Sequence, residues 1–155
     1  MTAPTPSHPA SWITYHFAVL RAVPHPYLGT FVPVGVVVHA RTAEYIAMRA
    51  LGDADAIAAR IPDVDAELMS RYLRSAERIV SGDPEGGPVA MLPPSERFHW
   101  LTAPRSDVLQ ASPVHAGLTA DPARALAELY AQYVEGTSGG ARGAGRPSRT
   151  RPYSG

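Results

Sequence analysis

Residues 12–23, "WITYHFAVLRAV", alternate between large apolar side chains and smaller or polar ones. A period of two is typical of a β-strand with one buried face. The stretch therefore predicts a first strand, and the side chains expected on its core face are Ile13, Tyr15, Phe17, Val19 and Val23.

A second strand is predicted directly after it. The turn-rich residues 24–29, "PHPYLG", precede residues 30–40, "TFVPVGVVVHA", which are rich in valine and should return antiparallel. Pro33 has no N–H for a strand ladder, so it should lie at an edge or a bulge, and Gly35 indicates a close approach of another backbone. If Val23 pairs with Thr30, the core face also includes Val32, Val34, Val36 and Val38.

The opposite face of this hairpin should be a surface of mixed and small side chains. It holds His16 and His39, placed diagonally, and no carboxylate or third histidine joins them in sequence. Three or four ligands are usual for zinc, so no metal site is predicted.

The middle of the chain predicts a further strand and two helices. Residues 45–51, "YIAMRAL", alternate weakly, as a third strand would. A short helix over 53–61 has Asp53 or Asp55 as its N-cap and stops before Pro62, and a longer helix over 63–80 ends at Gly82. A last helix follows the N-cap Asp121 and ends at Gly136.

Between these helices lies the segment 97–118, "RFHWLTAPRSDVLQASPVHAGL". In its first part, "RFHWLTA", the side chains alternate as in a strand, and "PRSD" contains residues typical of turns. Because "VLQASPV" can form the antiparallel return strand, a second hairpin is predicted. Phe98 and Trp100 should then be buried, as should Phe17 and Val36. The expected fold is an α+β domain in which an antiparallel sheet, built from an N-terminal hairpin or meander and this second hairpin, packs against about three helices.

The same segment holds the candidate binding residues. A guanidinium fork, hydroxyls, an amide and an imidazole near a helix N-terminus suit an anion, and Ser112 with His115 also suggests a nucleophile and its base. No nucleophile elbow accompanies them. The alternative is that these groups satisfy nearby backbone, and no catalytic residue is assigned. The candidates are Arg97, Arg105, Ser106, Gln110, Ser112 and His115.

Composition narrows the class of protein. The chain has no cysteine, which excludes disulfides, zinc–thiolate sites and thiol nucleophiles. The N-terminal "MTAPTPSHPAS" lacks the regions of a signal peptide, and the longest apolar run, "FVPVGVVV", is much shorter than the ~20 residues of a spanning helix. No nucleotide motif or cofactor is predicted, and a cytoplasmic location is expected.

The two ends differ from the body. Residues 136–155 contain four arginines and no acid, so the body before them holds ten arginines against fourteen acids and is net negative by four. We predict a disordered segment over 1–11, a single domain over 12–135 and a disordered Gly/Arg/Ser/Pro-rich tail over 136–155. Weak contact of the tail with nucleic acid is possible by counterion release.

Two separated motifs resemble a known family. The stretch "YHFAVLRAVPHPYLGTFVPVGVVVHAR", followed by "ERFHWLTAPRSDVLQASPVHAGLTADPARALAELY", is similar over about residues 13–135 to the bacterial domain of unknown function family 3037. Thr30 and Pro33 depart from an acidic residue and an asparagine of the family pattern. The positions that match it are Arg21, Gly29, Gly35, Arg97, Phe98, Arg105, Ser106, Gln110, Ser112, His115 and Gly117.

The resemblance identifies which positions match the family pattern, but it does not identify a function. The family has no established activity, but its members are often encoded beside HipA-like serine/threonine kinases, which implies a protein partner. Two hypotheses therefore stand: a non-catalytic interaction partner or accessory protein, and a small phosphate- or nucleotide-binding enzyme that uses the segment from Arg105 to His115. Whether the protein is an enzyme is left open.

Overall fold

The computed structural model describes residues 11–105 and 107–137, and the predicted end segments lie largely outside this part of the chain. All the strand pairings are antiparallel: β3, β2 and β1 are neighbours in that order, and β4 and β5 both pair with the other side of β1. The α+β class with an antiparallel sheet is therefore confirmed. The strands are β1 Ile13–Ala22, β2 Val32–Ala40, β3 Tyr45–Ala50, β4 Leu109–Ala111 and β5 His115–Thr119, and the helices are α1 Ala54–Arg60, α2 Ala66–Ser81, α3 Pro94–Thr102 and α4 Pro122–Tyr133.

Helices cover both faces of the sheet. On one face, α4 packs on β1 and β2 in a cluster that includes Phe17, Val19 and Val36. On the other face, α1, α2 and α3 bury Ala18 and Leu20. The prediction that this second face is a surface of mixed and small residues is therefore wrong, because its small side chains allow three helices to pack closely against the sheet.

The hairpin of β1 and β2 contains a bulge. Leu20 pairs with Gly35 and Arg21 with Pro33, which leaves Val34 as an extra residue on β2. The predicted pairing of Val23 with Thr30 is wrong, since Ala22 pairs with Val32. Val32 and Val34 consequently pack on the side of α1–α3, away from Val36 and Val38.

Pro33 and Gly35 behave as their chemistry indicates. Pro33 lies at the bulge, where its missing N–H is tolerated. A Cβ on Gly35 would meet the Cβ of Ala50 and the carbonyl oxygen of Arg49 at 3.0 Å each, so β3 approaches β2 too closely for a side chain. The expected close approach is confirmed, and the partner is β3.

Most helix ends predicted from sequence are confirmed, but the last helix ends at Tyr133 and not at the predicted Gly136. Asp53 accepts from the Ala56 N–H at 2.9 Å, and Asp121 accepts from the Ala123 N–H at 3.1 Å. Helix α2 begins after Asp65, slightly later than predicted, and ends at Gly82 in the left-handed conformation. These local signals place three of the four α-helices in the described part of the chain.

The predicted second hairpin is wrong. Residues 97–102 belong to α3, so β4 has no partner strand there and pairs with β1 instead. Phe98 is buried, as Phe17 and Val36 are, but Trp100 is 40% exposed because α3 turns it away from the sheet. His115 lies in β5, the strand that precedes α4.

Candidate functional site

Ser112 completes the sheet where its edge strand is interrupted. β4 and β5 run along the same side of β1, separated by residues 112–114, and Pro113 lacks the N–H that a ladder needs. The Ser112 Oγ accepts from the Val19 N–H at 2.9 Å and donates to the Pro113 carbonyl at 2.9 Å, while the Ser112 N–H donates to the Val19 carbonyl at 2.8 Å. The buried hydroxyl therefore replaces a backbone hydrogen bond.

Arg97 caps the last turn of α2. Its Nη1 donates to the carbonyls of Ile79 at 3.0 Å and Val80 at 2.6 Å, and its Nε donates to the carbonyl of Leu92 at 2.8 Å. A cation is favourable at a helix C-terminus, where carbonyl groups have no partner within the helix. Arg97 thus ties α2 to the start of α3.

Arg105 and Gln110 also bond to nearby backbone. The Arg105 guanidinium lies 4.1 Å from the centre of the Trp100 ring, and its Nη2 donates to the Trp100 carbonyl at 2.7 Å. The Gln110 Nε2 donates to the carbonyl of Asp107 at 2.9 Å. Ser106 lies outside the described residues.

His115 faces the cluster under α4. It pairs with Phe17 in the sheet, and the centres of the two rings are 5.4 Å apart. Two residues further along β5, Gly117 lies beneath Tyr15, whose ring would be 2.7 Å from an added Cβ. This part of β5 therefore holds the aromatic side chains of β1 in place.

Four of the candidate side chains have described hydrogen bonds, and these go to separate backbone groups. Arg97, Arg105, Gln110 and Ser112 donate to carbonyls of different residues, so the described contacts favour the alternative that these side chains satisfy nearby backbone. The two hydrogen bonds of the Ser112 hydroxyl likewise do not favour its use as a nucleophile. Ligand binding by this segment stays a prediction.

His16 and His39 lie directly opposite each other on β1 and β2, and not diagonally. His16 is exposed, whereas His39 is buried with its ring stacked 5.2 Å from that of Phe98. Burial lowers the pKa of His39, with His16 and Arg41 adding to the effect. Over the ranges 11–105 and 107–137, no group of three or more His, Asp or Glu side chains is placed to hold a metal ion.

A different surface of the molecule carries residues that sequence reasoning missed. We call it the loop end: the β1–β2 connection, residues 23–31, with the adjoining Arg21. The loop before β4 meets it at Val108. The Val23 N–H donates to the Val108 carbonyl at 2.7 Å, which joins the two loops. His25 also lies 3.7 Å from Asp63, between α1 and α2, so three connections meet at this end of the sheet.

Tyr27 and Leu28 project from the loop end on an ordered turn. They are 83% and 60% exposed, and they lie in a 3₁₀ turn that starts at Pro26. The Leu28 N–H donates to the His25 carbonyl at 2.9 Å, and Gly29 adopts the left-handed conformation that ends the turn. An apolar pair inside an otherwise turn-forming sequence is the signal that could have identified them.

Arg21 lies at the edge of the same surface. Alternation along β1 places it on the face of α4, beyond Val19, where the cluster under that helix ends. Its guanidinium lies 4.2 Å from the centre of the Phe31 ring, its Nε is buried with no hydrogen-bond partner, and burial lowers its pKa. A charge at a core position in the alternation of residues 12–23 was a signal in the sequence.

Within the described residues, no helix is both long enough and apolar enough to cross a membrane. The family model described as "Protein of unknown function (DUF3037)" matches residues 17–134. No curated protein matches the chain, and no solved structure matches it.

Proposed function

Because the chain belongs to the DUF3037 family of proteins of unknown function, we propose its role from geometry: a non-catalytic accessory protein that binds a protein partner through the loop end. The observation that carries the proposal is the exposure of Tyr27 and Leu28, at 83% and 60% of their surfaces. Adjacent large apolar side chains on a surface are characteristic of interaction sites, and tyrosine is enriched among the residues that dominate binding energy.

The turn that carries these side chains is ordered before binding. Pro26 restricts its backbone, the hydrogen bonds from Leu28 and Gly29 close it, and the His25 ring lies edge-on to Tyr27 at 5.9 Å. A turn held in this way loses little conformational freedom when a partner binds, so more of the contact energy appears as affinity.

We prefer this role to that of a phosphate- or nucleotide-binding enzyme using the segment from Arg105 to His115. The Arg105 guanidinium and the Ser112 hydroxyl both bond to carbonyls of their own segment. Groups that already have partners must exchange them to bind a substrate, which costs part of the binding energy. Tyr27 and Leu28 need no such exchange.

A HipA-like kinase is the partner that we propose, because the family resemblance implies one. The proposal places the complex in the cytoplasm. The Arg-rich tail over residues 136–155 adds, in this proposal, only weak and salt-sensitive contact with nucleic acid.

The test is calorimetric titration of the purified full-length chain with a HipA-like kinase. We expect saturable binding that the double variant Tyr27→Ser/Leu28→Ser weakens by about 2 kcal/mol or more, roughly 30-fold in Kd. The matched control is Met91→Ser/Leu92→Ser, since these neighbours are also exposed, at 56% and 37%, but lie between α2 and α3. If the protein does not bind the kinase, the kinase is not the partner. If both double variants lose affinity for the kinase equally, the loop end is not the binding site.

A further inference from the structure

Arg21 is a half-buried cation with no anionic partner in the described part of the chain. The ion pairs there join His25 to Asp63, Arg74 to Glu77 and Arg124 to Glu128. The Nε of Arg21 is buried and donates no hydrogen bond. A guanidinium stays protonated at neutral pH, so its positive charge is uncompensated at this position.

The surroundings hold the guanidinium in a fixed orientation. Arg21 lies within β1 between Pro33 of β2 and Gln110 of β4, so strands on both sides position its backbone. The Phe31 ring, 4.2 Å away, covers one face of the guanidinium. Stacking of this kind leaves the in-plane N–H groups as donors, because they point away from the ring rather than into it.

Gln110 adds an amide to the same face of the sheet. Its neighbours Leu109 and Ala111 pack towards α1–α3, so the Gln110 side chain alternates to the side of Arg21. One N–H of its amide donates to the Asp107 carbonyl at 2.9 Å, which holds the group, and the amide carries a second N–H. Pro33, on the other side, contributes no backbone donor.

We infer that Arg21, Phe31 and Gln110 form a binding site for an oxyanion, the carboxylate or phosphate group of a ligand. The planar guanidinium matches two oxygen atoms of such a group, and its partial burial strengthens a charge-assisted hydrogen bond. The ligand supplies the negative charge and the acceptors that the fold does not. Arg21 and Phe31 belong to the loop end, but this inference does not rest on the protein partner proposed above.

Arg105 provides an internal control for this site. Its guanidinium lies 4.1 Å from an aromatic ring, nearly the same distance as that of Arg21, but its Nη2 already donates to the Trp100 carbonyl. If stacking on a ring were sufficient to attract anions, Arg21 and Arg105 would bind an added anion equally well.

The experiment is a titration of the ¹⁵N-labelled full-length protein at constant ionic strength, monitored by the Nε–H signals of its arginines. Inorganic phosphate and acetate are the two probes. We expect the Arg21 signal to shift and saturate with at least one of them, while the Arg105 signal moves little. Tighter binding of phosphate assigns a phosphoryl ligand, and equal or tighter binding of acetate assigns a carboxylate ligand.

Two variants sharpen the result. Arg21→Lys keeps the charge but loses the planar fork, so we expect about a tenfold weaker affinity for the preferred probe. Gln110→Leu should weaken the affinity for the same probe by less than Arg21→Lys does. If the Arg21 signal of the wild-type protein shifts no more than that of Arg105 with either probe, the inference is wrong, and this outcome does not depend on whether any variant folds.

Discussion

Arg21 and Arg105 each lie over an aromatic ring, and they differ in what else they contact. Arg105, in the segment 97–118, lies 4.1 Å from the Trp100 ring and donates to the Trp100 carbonyl. Arg21, at the loop end, lies 4.2 Å from the Phe31 ring, and its buried Nε has no hydrogen-bond partner. Polar and aromatic side chains therefore indicate a binding surface only where the fold has not already used their hydrogen bonds.

The same contrast extends to the two regions as a whole. In the segment 97–118, Arg97 and Ser112 bond to backbone groups that would otherwise lack partners. At the loop end, Tyr27 and Leu28 are exposed on a turn whose backbone is already satisfied. We therefore expect substitutions in the first region to lower stability and substitutions in the second to lower binding.

The largest expected effect concerns Phe98. Its side chain is buried against the sheet and stacks on His39, so Phe98→Ala should cost about 3–5 kcal/mol in the free energy of unfolding. Trp100→Ala on the same helix should cost much less, because Trp100 is 40% exposed. Chemical denaturation measures both, and a larger loss for Trp100→Ala would contradict the position of α3.

The next effect concerns the interrupted edge strand. Ser112→Ala leaves the Val19 N–H without its acceptor inside the sheet, which should cost about 1–3 kcal/mol. Ser75→Ala, on the exposed side of α2, is the control and should change stability by less than about 0.5 kcal/mol. Equal melting temperatures for the two variants would show that Ser112 is not needed for the ladder.

A smaller effect should appear on acidification. Burial lowers the pKa of His39 in the folded state below its value in the unfolded chain, about 6.5. The unfolded state then binds more protons as the pH falls, so stability is highest above about pH 6.5 and decreases as the pH falls through the lowered pKa. The melting temperatures of wild type and His39→Gln, plotted against pH, should converge towards low pH. A difference that stays constant with pH would contradict this assignment.

Much of the fold follows from local signals in the sequence. Asp53, Asp121 and Gly82 mark helix ends because capping depends on groups within one turn. The alternation of residues 13–22 identifies β1 for the same reason. Pro33 correctly indicated a bulge, but not its effect: the extra residue Val34 moves two predicted core valines to the other face of the sheet.

The segment 97–118 could not be predicted from its alternation alone. Phe98, Leu101 and Thr102 fit a helical spacing as well as "RFHWLTA" fits a strand, and Pro94 with Glu96 is the start signal that favours the helix. The pairing of β4 and β5 with β1 joins residues 87 to 106 positions apart, which no local pattern encodes. The polar residues of this segment accordingly suggested a site, although their described hydrogen bonds are to backbone.

The most direct test of the account compares Arg105→Ala with Tyr27→Ser/Leu28→Ser in one pair of measurements: the melting temperature and the affinity for a HipA-like kinase. We predict that the double variant keeps a free energy of unfolding within about 0.5 kcal/mol of wild type, because Tyr27 and Leu28 are exposed. It should bind roughly 30-fold more weakly, because these two side chains contact only the proposed partner. Arg105→Ala should bind as wild type does. Loss of binding in Arg105→Ala together with full binding by the double variant would contradict the account, and would place the function in the segment 97–118.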